Sequence, residues 1–137
     1  MTPIRRRRAG AVLASVVGAL LVWLVADPLL GRELRITEGE GAGERVLEIG
    51  PFPVVALSLA FGLAGWGLLA VLERWTRRAR GIWLAVAGVV LALSFLPLTG
   101  QGMTGGTRVA LACMHLVVAA VLAPGLAGRR PGAVAPR

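Results

Sequence analysis

The side chains that could carry proton chemistry in this 137-residue chain are few. His115 is the only histidine, and it lies inside an uncharged apolar run that begins at Val109. Asp27 ends the first apolar run, and Arg108 directly precedes the last one. Ionisable groups inside apolar segments usually face the protein interior or a wet cavity, because lipid solvates charge poorly. Asp27 and His115 are therefore the candidate catalytic acid and base.

These residues also have purely structural interpretations. His115 could form only a hydrogen bond between helices, and Asp27, followed by Pro28, could be a helix terminus facing water. In the functional interpretation, an Asp27–Arg108 ion pair lies above His115, and Glu48 approaches it from the loop after the first apolar run. Such half-buried polar clusters are where perturbed acids and bases concentrate. The candidate binding residues are thus Arg108 and Glu48.

Trp66 is a third candidate binding residue. It lies in the sequence GLAGWG at residues 62–67, where its indole fills the space left by the glycines or forms one wall of a pocket. The remaining chemistry is limited. One cysteine, Cys113, excludes an intramolecular disulfide, and one histidine excludes a bis-histidine haem site. No zinc cluster, phosphate loop or nucleophile elbow is present in the sequence, so we expect no metal and no cofactor.

Hydropathy indicates the elements that position these residues. The chain is 56% hydrophobic and 16% charged, with a mean hydropathy of +0.76, and a small soluble domain cannot bury that much apolar surface. A transmembrane helix needs about 20 mostly apolar residues. Four segments meet this requirement, and the predicted spans are residues 9–30, 49–73, 81–98 and 107–127.

The arginines predict the orientation of these spans. Eleven lie before the first span, between the second and third, or after the fourth, whereas four lie on the opposite side among five glutamates. Arginine-rich short segments stay cytoplasmic, so both termini are predicted in the cytosol. The membrane is predicted to be a bacterial inner membrane. The same rule explains the net charge of +8 without nucleic acid as a partner.

The loop between the first two spans predicts a β-hairpin. Residues 33–37 alternate polar and apolar side chains, residues 45–49 do so more weakly, and the glycine-rich segment 38–43 separates them. An irregular loop is the alternative. The predicted fold is thus an all-α membrane protein, an up-down four-helix transmembrane bundle with a short extracytoplasmic β-hairpin at 31–48. We predict one domain over residues 1–128 and a disordered cytoplasmic tail at 129–137.

Two further features bear on assembly. Arginines 5–8 before an apolar run resemble a signal peptide, but the run is long and Leu24 suits the cleavage position poorly, which favours a retained anchor. Small residues four apart predict helix interfaces, because lipid-embedded helices associate by close contact. These pairs are Ser58-Gly62, Ala60-Ala64, Gly81-Ala85 and Gly88-Ala92, followed by the series Ala119-Ala123-Ala127. Trp75 and Trp83 are predicted in the inner aromatic belt.

Three stretches resemble a family of small four-span membrane proteins common in actinobacteria and known only as a domain of unknown function. They are VWLVA at 22–26, GLAGWGLLAVLER at 62–74 and MHLVVAAVL at 114–122. The resemblance extends over most of residues 9–128. It implies a four-helix membrane fold and brings no established activity or site residues.

Three functions remain open from the sequence. The first is a non-enzymatic bundle that contacts other proteins through its helices or hairpin, with the bilayer and a homo-oligomer or another membrane protein as partners. The second is a membrane-embedded enzyme on a lipophilic, isoprenoid-like small molecule, using Asp27 and His115. The third is a small-solute transporter, which would need a homodimer because four helices enclose little volume.

Overall fold

A computed structural model describes residues 2–31, 34–38, 43–100 and 102–128. Helix α1 spans Pro3–Leu24 and continues as a π-helical turn over Val25–Leu29. Strands β1 (Arg35–Glu38) and β2 (Arg45–Glu48) follow. The other helices are α2 (Pro51–Trp75), α3 (Ala79–Ser94) and α4 (Gly105–Ala127), with a 3₁₀ turn at Pro97–Thr99. The predicted turn between the strands and the predicted tail lie mainly or wholly outside the described residues.

The four helices pack side by side as a bundle. Helix α1 lies against α2 and, most extensively, α4, while α3 lies against α2 and α4. All four segments are long and apolar enough to cross a membrane, namely Pro3–Leu29, Pro51–Trp75, Ala79–Thr99 and Gly105–Ala127. The prediction of four long apolar helices is therefore confirmed. The division into one domain and a tail stays a prediction.

Two apolar cores fill the bundle, one towards each end. The first core lies near the arginine-rich segments and the second near the hairpin, and we call these two ends of the bundle the arginine end and the hairpin end. Buried residues of the first are Val12, Leu69, Ala79, Trp83, Leu122 and Leu126. Those of the second are Ala19, Ala26, Leu34, Val54, Ala110 and Met114. The hairpin thus contributes Leu34, which is only 2% exposed, to the second core.

Glycines allow α1 to approach its two neighbours closely. A Cβ at Gly62 of α2 would lie 2.9 Å from Val12 of α1, and a Cβ at Gly125 of α4 would overlap Ala11. The predicted interface at Gly62 is therefore confirmed. The prediction for α3 is wrong for packing within the chain, because Gly81 and Gly88 have no atom within 4 Å of an added Cβ. The spacing of Gly81 and Gly88 predicts a helix face of small residues but does not indicate which helix packs against it.

Trp83 also differs from its predicted place. It is 4% exposed and its indole Nε1 donates a hydrogen bond to the Gly65 carbonyl 2.8 Å away, whereas Trp75 is 86% exposed. Trp83 thus belongs to the core, and its indole lies beside the glycine stretch where Trp66 was expected to fill the space. Trp66 packs, partly buried, against the same core.

Candidate functional site

The predicted hairpin is present and runs antiparallel, with Arg35 opposite Glu48 and Thr37 opposite Val46. An Arg35–Glu48 ion pair of 3.3 Å joins the strands, so Glu48 lies on the hairpin surface with its side chain 73% exposed. No described contact joins Glu48 to His115, so the structure does not bring these two predicted site residues together. The alternating sequence at 33–37 predicted a strand that the structure places at Arg35–Glu38, directly after the buried Leu34, whereas the second strand, Arg45–Glu48, is exposed throughout.

Three elements hold the base of the hairpin. Trp23 of α1 donates its indole N–H to the Ile49 carbonyl at 2.8 Å, and the Leu34 N–H lies 3.4 Å from Asp27 Oδ1. The loop between α3 and α4 supplies the third contact, where the Thr37 N–H donates to the Gly102 carbonyl at 2.9 Å. A bridge between Ile36 and Met103 extends this pairing. The hairpin is thereby docked on the bundle.

Gly102 is required at this contact for two reasons. Its φ of +92° is one that residues with a Cβ rarely adopt. An added Cβ would also overlap the Thr37 carbonyl oxygen. No motif in the sequence indicated this role, since the glycine-rich segment 100–106 predicts only a loop.

Asp27 lies in the π-helical turn that ends the first apolar segment. Pro28 has no N–H to donate, and the turn instead closes through the Leu30 N–H and the Val25 carbonyl, 3.0 Å apart. The Asp27 carboxylate faces the Leu34 N–H. Arg108 lies elsewhere, exposed, with Nη2 donating to the Gly100 carbonyl at 3.0 Å. The predicted Asp27–Arg108 ion pair is absent from the described residues.

His115 is partly buried on α4. Its Nδ1 lies 2.7 Å from the Leu111 carbonyl, one turn earlier, and its ring packs against Phe95 with centroids 6.2 Å apart. Because a carbonyl only accepts, Nδ1 carries the proton in this contact. The bond lies within α4 rather than between helices. No described contact joins His115 to Asp27, and the two grooves described are lined by other residues.

The arginine end holds the most buried charge of the described residues. Arg8 of α1 binds Glu73 of α2 with two hydrogen bonds, Nη1 to Oε2 at 3.0 Å and Nη2 to Oε1 at 2.5 Å. The Arg8 side chain is 10% exposed and that of Glu73 41%. Arg7 and Arg80 both donate to the Gly128 carbonyl that follows α4. These contacts tie all four helices together at one end.

The sequence pattern missed the Arg8–Glu73 pair. The arginines before α1 were assigned to orientation, and Glu73 was not among the candidate site residues. A signal did exist: six of the seven acidic residues fall within 27–48, and Glu73 alone lies next to the arginine-rich segments. A buried guanidinium at this end needs a carboxylate, and Glu73 is the acidic residue that the sequence places there.

These features define the class of the protein, a small α-helical protein with four candidate membrane spans and a docked hairpin. Among the described residues, no three His, Cys, Asp or Glu side chains come together as a metal site. The chain belongs to a family of unknown function, DUF6069, whose model matches residues 1–132. This confirms the expectation of an uncharacterised family, while its actinobacterial origin stays a prediction. No curated protein and no solved structure matches the chain.

Proposed function

We propose that this chain is a four-span protein of a bacterial cytoplasmic membrane that acts by presenting its hairpin to a partner protein. The four candidate spans support insertion, and the distribution of eleven arginines against four supports cytosolic termini with an external hairpin. The packing of α1 supports a retained first span. In this span 28% of the most apolar stretch is buried, the largest fraction among the four candidate spans. A cleaved signal would leave α2 and α4 without that contact.

The observation that carries the proposal is a docked hairpin with an uncovered apolar strand. Val46 is 55% exposed and Leu47 48% exposed, although both lie in β2 rather than in a candidate span. Because β1 lies between β2 and Met103, β2 is the outer edge of this small sheet in the described part of the chain. A free sheet edge with apolar side chains is a site where another chain adds a strand.

The contacts of Asp27 and His115 favour this function over acid–base catalysis. Each side chain has a structural partner, the Leu34 N–H for Asp27 and the Leu111 carbonyl for His115. An acid–base pair must reach the same substrate within hydrogen-bond distance. Their separate partners instead explain both residues as supports of the hairpin base and of α4.

Photo-crosslinking in intact cells tests the hairpin contact. With a photoreactive residue at exposed position 44, we expect one discrete protein adduct at the hairpin. The paired changes Val46→Thr and Leu47→Thr place a β-branched side chain that suits a strand at each position but remove apolar surface, so the adduct should fall at least about tenfold. Asp27→Asn is the matched control, since it retains Oδ1 as an acceptor, and should leave the adduct unchanged.

The same cells separate this function from catalysis. If no protein adduct forms from the hairpin while Asp27→Asn or His115→Gln alone abolishes the cellular effect of the gene, the contact function is wrong. The acid–base alternative would then be the better account. A stable hairpin adduct that survives removal of Val46 and Leu47 would equally contradict the proposed surface.

A further inference from the structure

A groove lies at the arginine end, and of its lining residues Arg80 takes part in the contacts described above, through the Gly128 carbonyl. It has a volume of about 470 Å³ and lies beside the loop between α2 and α3 and the first turns of α3. Its lining residues are Arg77, Arg78, Arg80, Gly81, Ile82 and Ala85. The lining surface is mostly apolar, the exposed residues Arg77 and Arg78 lie at one end of it, and Gly81 leaves open space.

Glu73 is the acidic residue that lies nearest to this groove in the sequence. Six of the seven acidic residues lie within 27–48, towards the hairpin end, and the seventh, Glu73, is bound through both oxygens by Arg8. No acidic residue lies in the first turn of α3. The groove therefore has the charge that complements an anion.

The apolar part of the groove continues along α3. Ile82, Val86 and Val89 are exposed at spacings of four and three, and the small residues Gly88 and Ala92 are uncovered beside them. Residues at these spacings form one face of a helix. From Ile82 to Val89 this face is about 10 Å long, at about 1.5 Å of rise per residue. Only 11% of the most apolar stretch of this candidate span is buried, the lowest fraction among the four candidate spans.

We propose that the groove binds an anionic phospholipid, with its phosphate on Arg77 and Arg78 and an acyl chain along Ile82 and Ala85. Guanidinium groups bind phosphate oxygens with paired hydrogen bonds, and arginines directly beside the cytoplasmic end of a span attract anionic headgroups. The small side chains on this face of α3 let an acyl chain lie close to the helix backbone. This proposal rests on the membrane placement proposed above. It also gives a role to the Gly81-Ala85 pair, which no other helix covers in the described part of the chain.

Native mass spectrometry of the full chain released from nanodiscs tests the site. With equal phosphatidylglycerol and phosphatidylcholine, we expect one retained phosphatidylglycerol per chain. Replacing Arg77 and Arg78 by glutamine should reduce this retention about tenfold or more, at about 1 kcal/mol per arginine near an anionic surface. Arg5→Gln with Arg6→Gln is the matched control, because it removes equal charge from exposed residues at the same end. It should change retention less than twofold.

Three results would overturn the lipid site. These are no preference for phosphatidylglycerol in the wild type, an equal loss in the Arg5 and Arg6 control, and displacement of the lipid by soluble glycerol phosphate at similar concentration. The last outcome would assign the groove to free phosphate. Failure of the site leaves the membrane placement intact, whereas a chain that stays soluble without detergent would contradict that placement itself.

Discussion

Glu73→Ala should destabilise the folded bundle by about 2–3 kcal/mol, less than the 3–5 kcal/mol of a fully buried pair because Glu73 is 41% exposed. The change leaves the Arg8 guanidinium, with its side chain 10% exposed, without its carboxylate. Arg8 Nε is buried with no hydrogen-bond partner among the described residues, so this group has little else to offset its desolvation. Unfolding of the detergent-solubilised chain in rising dodecyl sulfate, followed by tryptophan fluorescence, measures the loss.

Two variants make this result specific to the buried pair. Glu48→Ala breaks the exposed Arg35–Glu48 pair and should cost less than about 0.5 kcal/mol, because water screens charges on the surface. Arg8→Met combined with Glu73→Leu removes both charges and should lie within about 1 kcal/mol of the wild type. If Glu73→Ala cost no more than Glu48→Ala, the arginine end would not be held by this ion pair.

Gly102→Ala should release the hairpin from the bundle with a local cost of about 2–3 kcal/mol, combining positive-φ strain with overpacking. The added Cβ overlaps the Thr37 carbonyl oxygen, and a backbone atom paired within a strand cannot turn aside as a side chain can. Since about 1.4 kcal/mol is a factor of ten in an equilibrium, the Thr37 amide should exchange its hydrogen roughly 30-fold to 140-fold faster. Global unfolding should change little.

Gly31→Ala separates the two causes. Gly31 also has a positive φ, +61°, but an added Cβ there has no atom within 4 Å. It should therefore show the backbone strain alone, about 1 kcal/mol, and leave protection at Thr37 close to that of the wild type. Equal exchange at Thr37 in Gly102→Ala and the wild type would show that the loop between α3 and α4 does not anchor the hairpin.

Much of the fold could be predicted because its signals are local. Four uncharged apolar runs of span length predict four helices, and alternation around residues 33–37 predicts a strand, which begins at Arg35 directly after the buried Leu34. The partner of a side chain is not local. Arg8 and Glu73 are 65 residues apart, and only helix packing brings them together.

The direction in which a side chain points was the second property that the sequence could not predict. Trp83 beside an arginine-rich loop is equally consistent with an interfacial belt or a core, and only the rotation of α3 decides for the core. Asp27 and His115 were grouped by their depth along the spans, but their partners lie in the hairpin base and in α4. Nothing in the sequence distinguishes Gly102, which has a positive φ, from the glycines next to it in the same loop.

Cysteine accessibility tests the central claim, a membrane-spanning bundle with the hairpin outside. In a Cys113→Ala background, Val46→Cys and Trp75→Cys place single thiols at exposed sites on opposite ends of the bundle, 55% and 86% exposed. An impermeant maleimide added to intact bacteria with a permeabilised outer layer should label the variant at 46 and not the one at 75. Labelling of both without disrupting the cytoplasmic membrane, or of 75 alone, would contradict the account.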